Sequence, residues 1–248
     1  MSLIPLPESL IPFLQSYLPP QRTDKIHVTL TYAQSLDARI AEKPGIQTKL
    51  SHVETKTMTH YLRSKHDAIL VGIGTVLADD PKLNCRYEID HTVPHHPRPI
   101  IVDPQARWKY QGSNVSKVYN AGLGKAPYII VAEGAKIDPE SEKAVQLAGG
   151  QYIRFPVQPN GGLCWHQVLT KLHDLDIQSI MIEGGAHVID GILKFHKIQP
   201  TINSLIITIA PVYLGKNGVE VSPCNRVDLV DAEWWTGLQD SVLAARVS

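Results

Sequence analysis

Cysteine is scarce in this chain: Cys85, Cys164 and Cys224 stand far apart, and none belongs to a C-x-x-C pair. That excludes a disulfide framework and a thiolate zinc site, and it suits a reduced intracellular compartment. Net charge is lacking as well, since 24 Lys and Arg balance 24 Asp and Glu. No general basic surface exists to hold nucleic acid or an anionic membrane, so any anionic ligand must be met locally. Long apolar runs are missing too. The longest, 205–214, is too short to span a bilayer and contains Thr208 and Pro211. Residues 1–20 have no basic lead and are broken by Pro5, Pro7, Pro12, Pro19 and Pro20, which excludes a signal-peptide core. A soluble, cytoplasmic protein with no nucleic-acid or membrane partner is expected.

What is present alternates. Short apolar runs at 27–32, 68–71, 99–102, 128–131, 152–155, 179–182, 204–210 and 242–247 read as strands, several of them apolar on both faces. Between them, Trp165, Val168, Leu169, Leu172 and Leu175 keep helical spacing, as do Val188, Ile189, Ile192 and Leu193. Ser51-His52-Val53-Glu54 reads as a capping box for a helix with Met58, Tyr61 and Leu62 on its buried stripe. The pattern predicts an α/β fold with a mainly parallel central sheet and helices on both faces. Ligands in such folds sit beyond the carboxyl ends of the strands. Residues 25–248 are expected to form one domain behind a Pro-rich extension over 1–24, with no internal repeat. His91, His95 and His96 fall in a Pro-rich stretch that reads as a solvated loop, so no metal is expected. Asn114-Val115-Ser116 matches a glycosylation sequon and reads as a chance match.

Four segments could carry chemistry. Val71-Gly72-Ile73-Gly74-Thr75 ends a strand on glycines and opens a helix, which lets a ligand approach the backbone and offers N–H groups to a phosphate. It is not a dinucleotide fingerprint, because Leu77 stands where a third glycine should. Ile182-Glu183-Gly184-Gly185-Ala186 repeats the device with a carboxylate at the strand end. Gln34-Ser35-Leu36-Asp37-Ala38 supplies a possible acid after the first strand, where a buried turn is the plainer reading. Asp79-Asp80-Pro81-Lys82-Leu83-Asn84-Cys85-Arg86 places amide and guanidinium donors in a loop suited to a polar or phosphorylated ligand.

Taken in order, Ser35-Leu36-Asp37, the run from Val71 through Pro81 to Leu83, Glu183-Gly184-Gly185-Ala186, and Ile207-Thr208-Ile209-Ala210-Pro211 resemble the reductases of riboflavin biosynthesis, the stand-alone fungal pyrimidinone-phosphate reductases above all. The resemblance runs from about Val28 to the C-terminus. It implies a dihydrofolate-reductase-like fold, a homodimer, and NADPH-dependent reduction of the ribosyl side chain of a phosphorylated pyrimidine. The zinc deaminase often fused to bacterial relatives is not expected, for the chain has no P-C-x-x-C to supply its thiolate ligands. Carried over, Thr75, Asp79, Leu163, Gly184, Gly185, Ala186, His187 and Val188 hold the cofactor. Gln34, Leu83, Asn84, Arg86 and Glu183 line the substrate side, and Glu183 or Asp37 is the catalytic acid. Ala38 departs from the usual Ser-Leu-Asp-Gly, which makes a positive φ there harder to reach. Two rivals stand beside this reading: a dihydrofolate-type reductase, which the Leu83-x-x-Arg86 loop opposes, and a non-catalytic nucleotide-binding dimerisation module.

Overall fold

The computed structural model describes residues 3–21, 24–88, 94–158, 162–223 and 225–248. Numbered in chain order, the apolar runs become β1 (His27–Gln34), β3 (Ala68–Gly72), β4 (Arg98–Val102), β5 (Tyr128–Ala132), β6 (Gln151–Phe155), β7 (Ser179–Gly184), β8 (Ser204–Ile209) and β11 (Ser241–Val247). Three further strands carry no clear signal in the sequence: β2 (Arg39–Ala41), β9 (Val219–Glu220) and β10 (Leu229–Thr236). The helices are α1 (Leu10–Gln15), α2 (Val53–Ser64), α3 (Ile73–Asp79), α4 (Asn114–Asn120), α5 (Pro139–Leu147), α6 (Trp165–His173) and α7 (Ala186–His196).

Nine strands form one sheet in the order β10-β11-β8-β1-β7-β3-β4-β5-β6. The block from β8 to β6 is parallel, while β11 runs antiparallel to both its neighbours. Strand β7 enters late in the chain and slots between β1 and β3. The connections therefore leave in opposite directions around it, which opens a crevice at the carboxyl ends.

The two-residue period of the strands sorts the core into two layers. Val28, Leu30, Leu70, Ile100, Ile130, Ile180, Ile182 and Leu205 face α6 and α7. Their sequence neighbours Ile69, Val71, Ile101 and Ile129 face the other layer, with Val115 of α4 and Val145 of α5. Met181 and Ile206 face α1 and α2. Position 183 follows 181 on that same face, so Glu183 points toward α2.

Helix α2 is held differently from the sequence expectation. Its N-cap is His52, with no side-chain cap bond, and Ser51 plays no part. Asp240, far along the chain, accepts from the His52 N–H at 2.7 Å and from the Thr55 hydroxyl. Glu54 turns away from its own helix to accept from the Leu238 N–H at 2.8 Å. The tertiary partners outcompete the local box. The N-terminal segment adds Leu10, Phe13, Leu14 and Tyr17 to the cluster containing Met58, Tyr61 and Leu62, so these four side chains are part of the core. The 205–214 run is no sheet edge, because β8 lies between β1 and β11. His91 lies outside the described residues, and His95 Nε2 sits 3.2 Å from the His66 carbonyl. The Asn114 side-chain amide is engaged, donating to the Asp80 carbonyl at 2.8 Å.

Buried histidines stitch the layers. His66 donates from Nδ1 to the Leu62 carbonyl at 2.7 Å and accepts at Nε2 from the Thr29 hydroxyl at 2.8 Å, joining α2 to β1. Burial pushes His66 and His27 down to about 4, and His60 to about 2. Each is neutral when folded and gains a proton more readily when unfolded. Stability is thus fully present above the ordinary histidine value of about 6.5 and is lost as pH falls toward 4. Urea midpoints measured from pH 8 to pH 4.5 should be flat above 6.5 and fall steadily below it.

Candidate active site

The carboxyl ends of β1, β7, β3 and β4 open onto a cavity of about 1300 Å³. Two turns form its floor. Gly72 ends β3 and leads into α3, and Gly184 with Gly185 carries β7 into α7. Gly184 and Gly185 have φ of +111° and +75°, where a Cβ is strained. A Cβ on Gly185 would stand 3.1 Å from Thr75 Oγ1, and one on Gly72 would stand 2.9 Å from a Val188 methyl. The turns pack directly on each other, and only glycine allows that approach.

Helix α7 starts with Gly185 as a cap that has no side chain to offer. Val188 N–H and Ile189 N–H both donate to the Gly185 carbonyl, at 2.9 and 3.1 Å. The N–H groups of Ala186 and His187 have no intrahelical acceptor, and the helix dipole adds positive potential there. A phosphate fits that end without any cationic side chain. Thr75, Asp79, Leu163, Gly185, Ala186, His187 and Val188 all line the cavity. Val188 does so through its side chain, since its N–H is spent within the turn. Gly184 is buried at the end of β7 and sets the direction of the turn. Burial raises the Asp79 carboxyl. The cradle, the exposed N–H groups and the cavity's size suit a nucleotide cofactor.

Glu183 lines the same cavity. Both its oxygens are taken by Arg63 of α2, with Nε at 2.8 Å and Nη2 at 2.7 Å. The third arm of that guanidinium, Nη1, donates to the Asn84 carbonyl at 3.0 Å. Burial works against the Arg63 cation, but the charge and hydrogen bonds of Glu183 outweigh it and leave its pKa raised. Arg86 closes on His60, its main-chain N–H 3.2 Å from Nδ1 and its Nη2 2.8 Å from Nε2. Lys56, His60 and Arg86 are each pulled down by burial first, then by the neighbouring cations. Positive charge is therefore crowded behind Glu183.

The other residues singled out from the sequence are placed less directly. Leu83 is 1 % exposed, and its side chain belongs to the core. Asn84 is buried and donates its amide to the Leu123 carbonyl at 2.9 Å. Gln34 ends β1, its carbonyl accepting from the Ala210 N–H at 2.8 Å. Asp37 accepts from the Ser35 hydroxyl and from the N–H groups of Leu214 and Gly215, at 3.0 and 2.7 Å. Those bonds, the Ser35 hydroxyl foremost, hold it down to about 2. Ionised at neutral pH, Asp37 is a clamp between two loops and a poor proton donor. Ala38 does adopt the positive φ, at 55°.

Residues 26–242 match the family model of the RibD C-terminal domain. The chain belongs to that family. The RibD C-terminal domain chain is 53% identical over 250 residues to the 2,5-diamino-6-ribosylamino-4(3H)-pyrimidinone 5′-phosphate reductase of Debaryomyces hansenii, covering 100% of both. It is 45% identical over 254 residues to the Saccharomyces cerevisiae enzyme of the same name, covering 100% of this chain and 99% of the other. The solved riboflavin biosynthesis reductase Rib7 of Saccharomyces cerevisiae matches with a TM-score of 0.81 at 41% identity, over 97% of this chain and 100% of that one. RibD of Acinetobacter baumannii shares the fold, with a TM-score of 0.69 at 22% identity over 91% of this chain and 59% of that one.

Sequence reasoning missed Arg63, Lys56 and His60 of this RibD C-terminal domain chain. All three sit on α2, and a last-turn arginine reads as an ordinary C-terminal helix charge. The Asp37 clamp is open to test. Its lowered pKa means that its contribution is present above the ordinary carboxylate value of about 3.9 and lost as pH falls toward 2. Asp37→Asn should lower the urea midpoint at pH 7, and the gap from wild type should narrow between pH 4 and pH 3.

Proposed function

We propose that the protein uses NADPH to reduce the ribosyl side chain of 2,5-diamino-6-ribosylamino-4(3H)-pyrimidinone 5′-phosphate to the ribitylamino product in riboflavin biosynthesis. The observation that carries this reading is the meeting of two features in one cavity. A glycine phosphate cradle lies beside a carboxylate held by Arg63, in a chain aligned end to end with reductases of that name.

When bound, the nicotinamide supplies a hydride, which is chemistry of the cofactor itself. The chain's part is placement and charge. Gly185, Ala186 and His187 fix the phosphates, and Thr75 and Asp79 stand on the facing turn. The substrate reacts as its ring-opened, protonated imine: hydride adds to C1′ and the C=N electron pair passes to nitrogen, leaving a neutral amine. That step needs no proton from the protein. An anion near the imine favours its protonated, reactive form before hydride arrives, and Glu183 lines the cavity. Glu183 is then an electrostatic and orienting group, while Asp37 keeps the neighbouring loop in place.

The exposed edge of the sheet supports a homodimer. Strand β10 carries Leu229, Val230 and Trp234 at 37%, 44% and 60% exposure, an apolar edge of the kind that partners cover. A stable interface there would bury about 1,000 Å² or more. Among the described residues no helix is long and apolar enough to cross a membrane, and on this reading the enzyme works in the cytoplasm.

The purified chain should oxidise NADPH with the pyrimidine substrate and not with dihydrofolate; the reverse would overturn the assignment. Glu183→Gln should cut kcat by about 10²-fold or more while NADPH affinity barely moves, and wild-type kinetics would make Glu183 purely structural. Gly185→Val forces a branched residue to φ of +75° against Thr75. It should abolish tight NADPH binding in a fluorescence titration, and Thr75→Ala should weaken it less.

A further inference from the structure

The cavity divides at the glycine turns. One arm passes under Tyr32, Ala33 and Glu183 and is where substrate and nicotinamide must meet. The other runs over the carboxyl ends of β4 and β5, walled by Val102, Pro104, Ile130 and Leu163. Those apolar walls suit a flat base, so the adenosine half of a dinucleotide lies there. Resting on the reading that this cavity takes NADPH, we infer that Arg107 reads the 2′-phosphate of the adenosine ribose and selects NADPH over NADH.

The loop after β4 is built to present that one side chain. Asp103 is fully buried. Its carbonyl accepts from the Ala106 N–H at 3.0 Å, and its Oδ2 accepts from the Trp108 N–H at 2.8 Å. Ala106 takes a φ of 53°, and Trp108 is buried against Tyr110. Arg107 lies between a left-handed residue and a buried indole, so its backbone is fixed. Its side chain is 48% exposed and lines the cavity, tethered only through Nε, 3.5 Å from Asp103 Oδ1. Among the described residues nothing else hydrogen-bonds to its guanidinium. The remaining N–H groups form the planar fork that takes a phosphate bidentately.

Asp103 sharpens the choice. Sites that select NADH offer an exposed carboxylate to the ribose 2′-hydroxyl. Here the carboxylate at the end of the strand is sealed beneath the turn and occupied by Trp108 and Arg107, so it anchors the cation and does not compete for the ribose. The cavity's other ammonium groups are placed elsewhere. Lys43 belongs to the loop after β2 on the nicotinamide arm. Lys194 lies on α7 about 12 Å along the helix from its first residue, Ala186, at a rise of 1.5 Å per residue.

The test is calorimetry on the full chain with 2′,5′-ADP and 5′-ADP, alongside NADPH and NADH. Wild type should prefer 2′,5′-ADP over 5′-ADP. Arg107→Gln should weaken 2′,5′-ADP and NADPH by about 10- to 100-fold and leave 5′-ADP and NADH unmoved. Arg107→Lys should recover part of the loss. Equal weakening of all four ligands, no weakening at all, or a loss that appears only in Lys43→Gln or Lys194→Gln would overturn the assignment of Arg107. A wild-type chain that binds none of these ligands would instead overturn the NADPH reading, and this inference with it.

Discussion

The site depends on one ion pair. Arg63 spans from α2 to both oxygens of Glu183 on the central strand and, with its third arm, to the carbonyl of Asn84. Three separate pieces of chain meet in a single planar guanidinium: a helix, the strand that slots between β1 and β3, and the loop after α3. The two side chains are 13% and 17% exposed, so neither charge is well solvated without the other. Removing one partner from such a pair costs about 3–5 kcal/mol, because the survivor is stranded. That figure is comparable to a large part of a domain's net stability, which makes the pair a structural constraint as well as a chemical one.

The pair is only as well placed as α2, and α2 is aimed from far away in sequence. Asp240 fixes its first turn, Leu238 occupies Glu54, and α1 covers its outer face. His66 pins its end to β1. The chain termini thus set the position of a carboxylate at the centre of the sheet. Rigid placement of this kind matters for hydride transfer, where small errors in approach are expensive in rate.

Much of this architecture is legible in the sequence, and the limits have physical causes. The parallel strands are buried on both faces, so they appear as continuous apolar runs such as Ala68 to Val71. Strand β10 escapes because it is nearly all exposed and breaks register between Val230 and Glu233; no alternation survives to be read. Strands β2 and β9 are too short to show a period. The glycine turns at Gly72 and Gly185 announce themselves, since backbone freedom has a residue type of its own. Arg63 and Arg107 do not. A lone arginine looks the same whether it faces water or a carboxylate, and only the fold brings Glu183 to Arg63. The capping box at Ser51 fails for a related reason: a local hydrogen bond worth about 1 kcal/mol yields readily to a tertiary one.

The central claim is that Arg63 and Glu183 act as one unit toward the substrate. A double-mutant cycle on kcat/KM for the pyrimidine substrate, built from Arg63→Gln, Glu183→Gln and the double variant, measures it directly. The account predicts strong non-additivity, with the double variant no worse than the poorer single one. Losses that simply multiply would show two independent residues and contradict it.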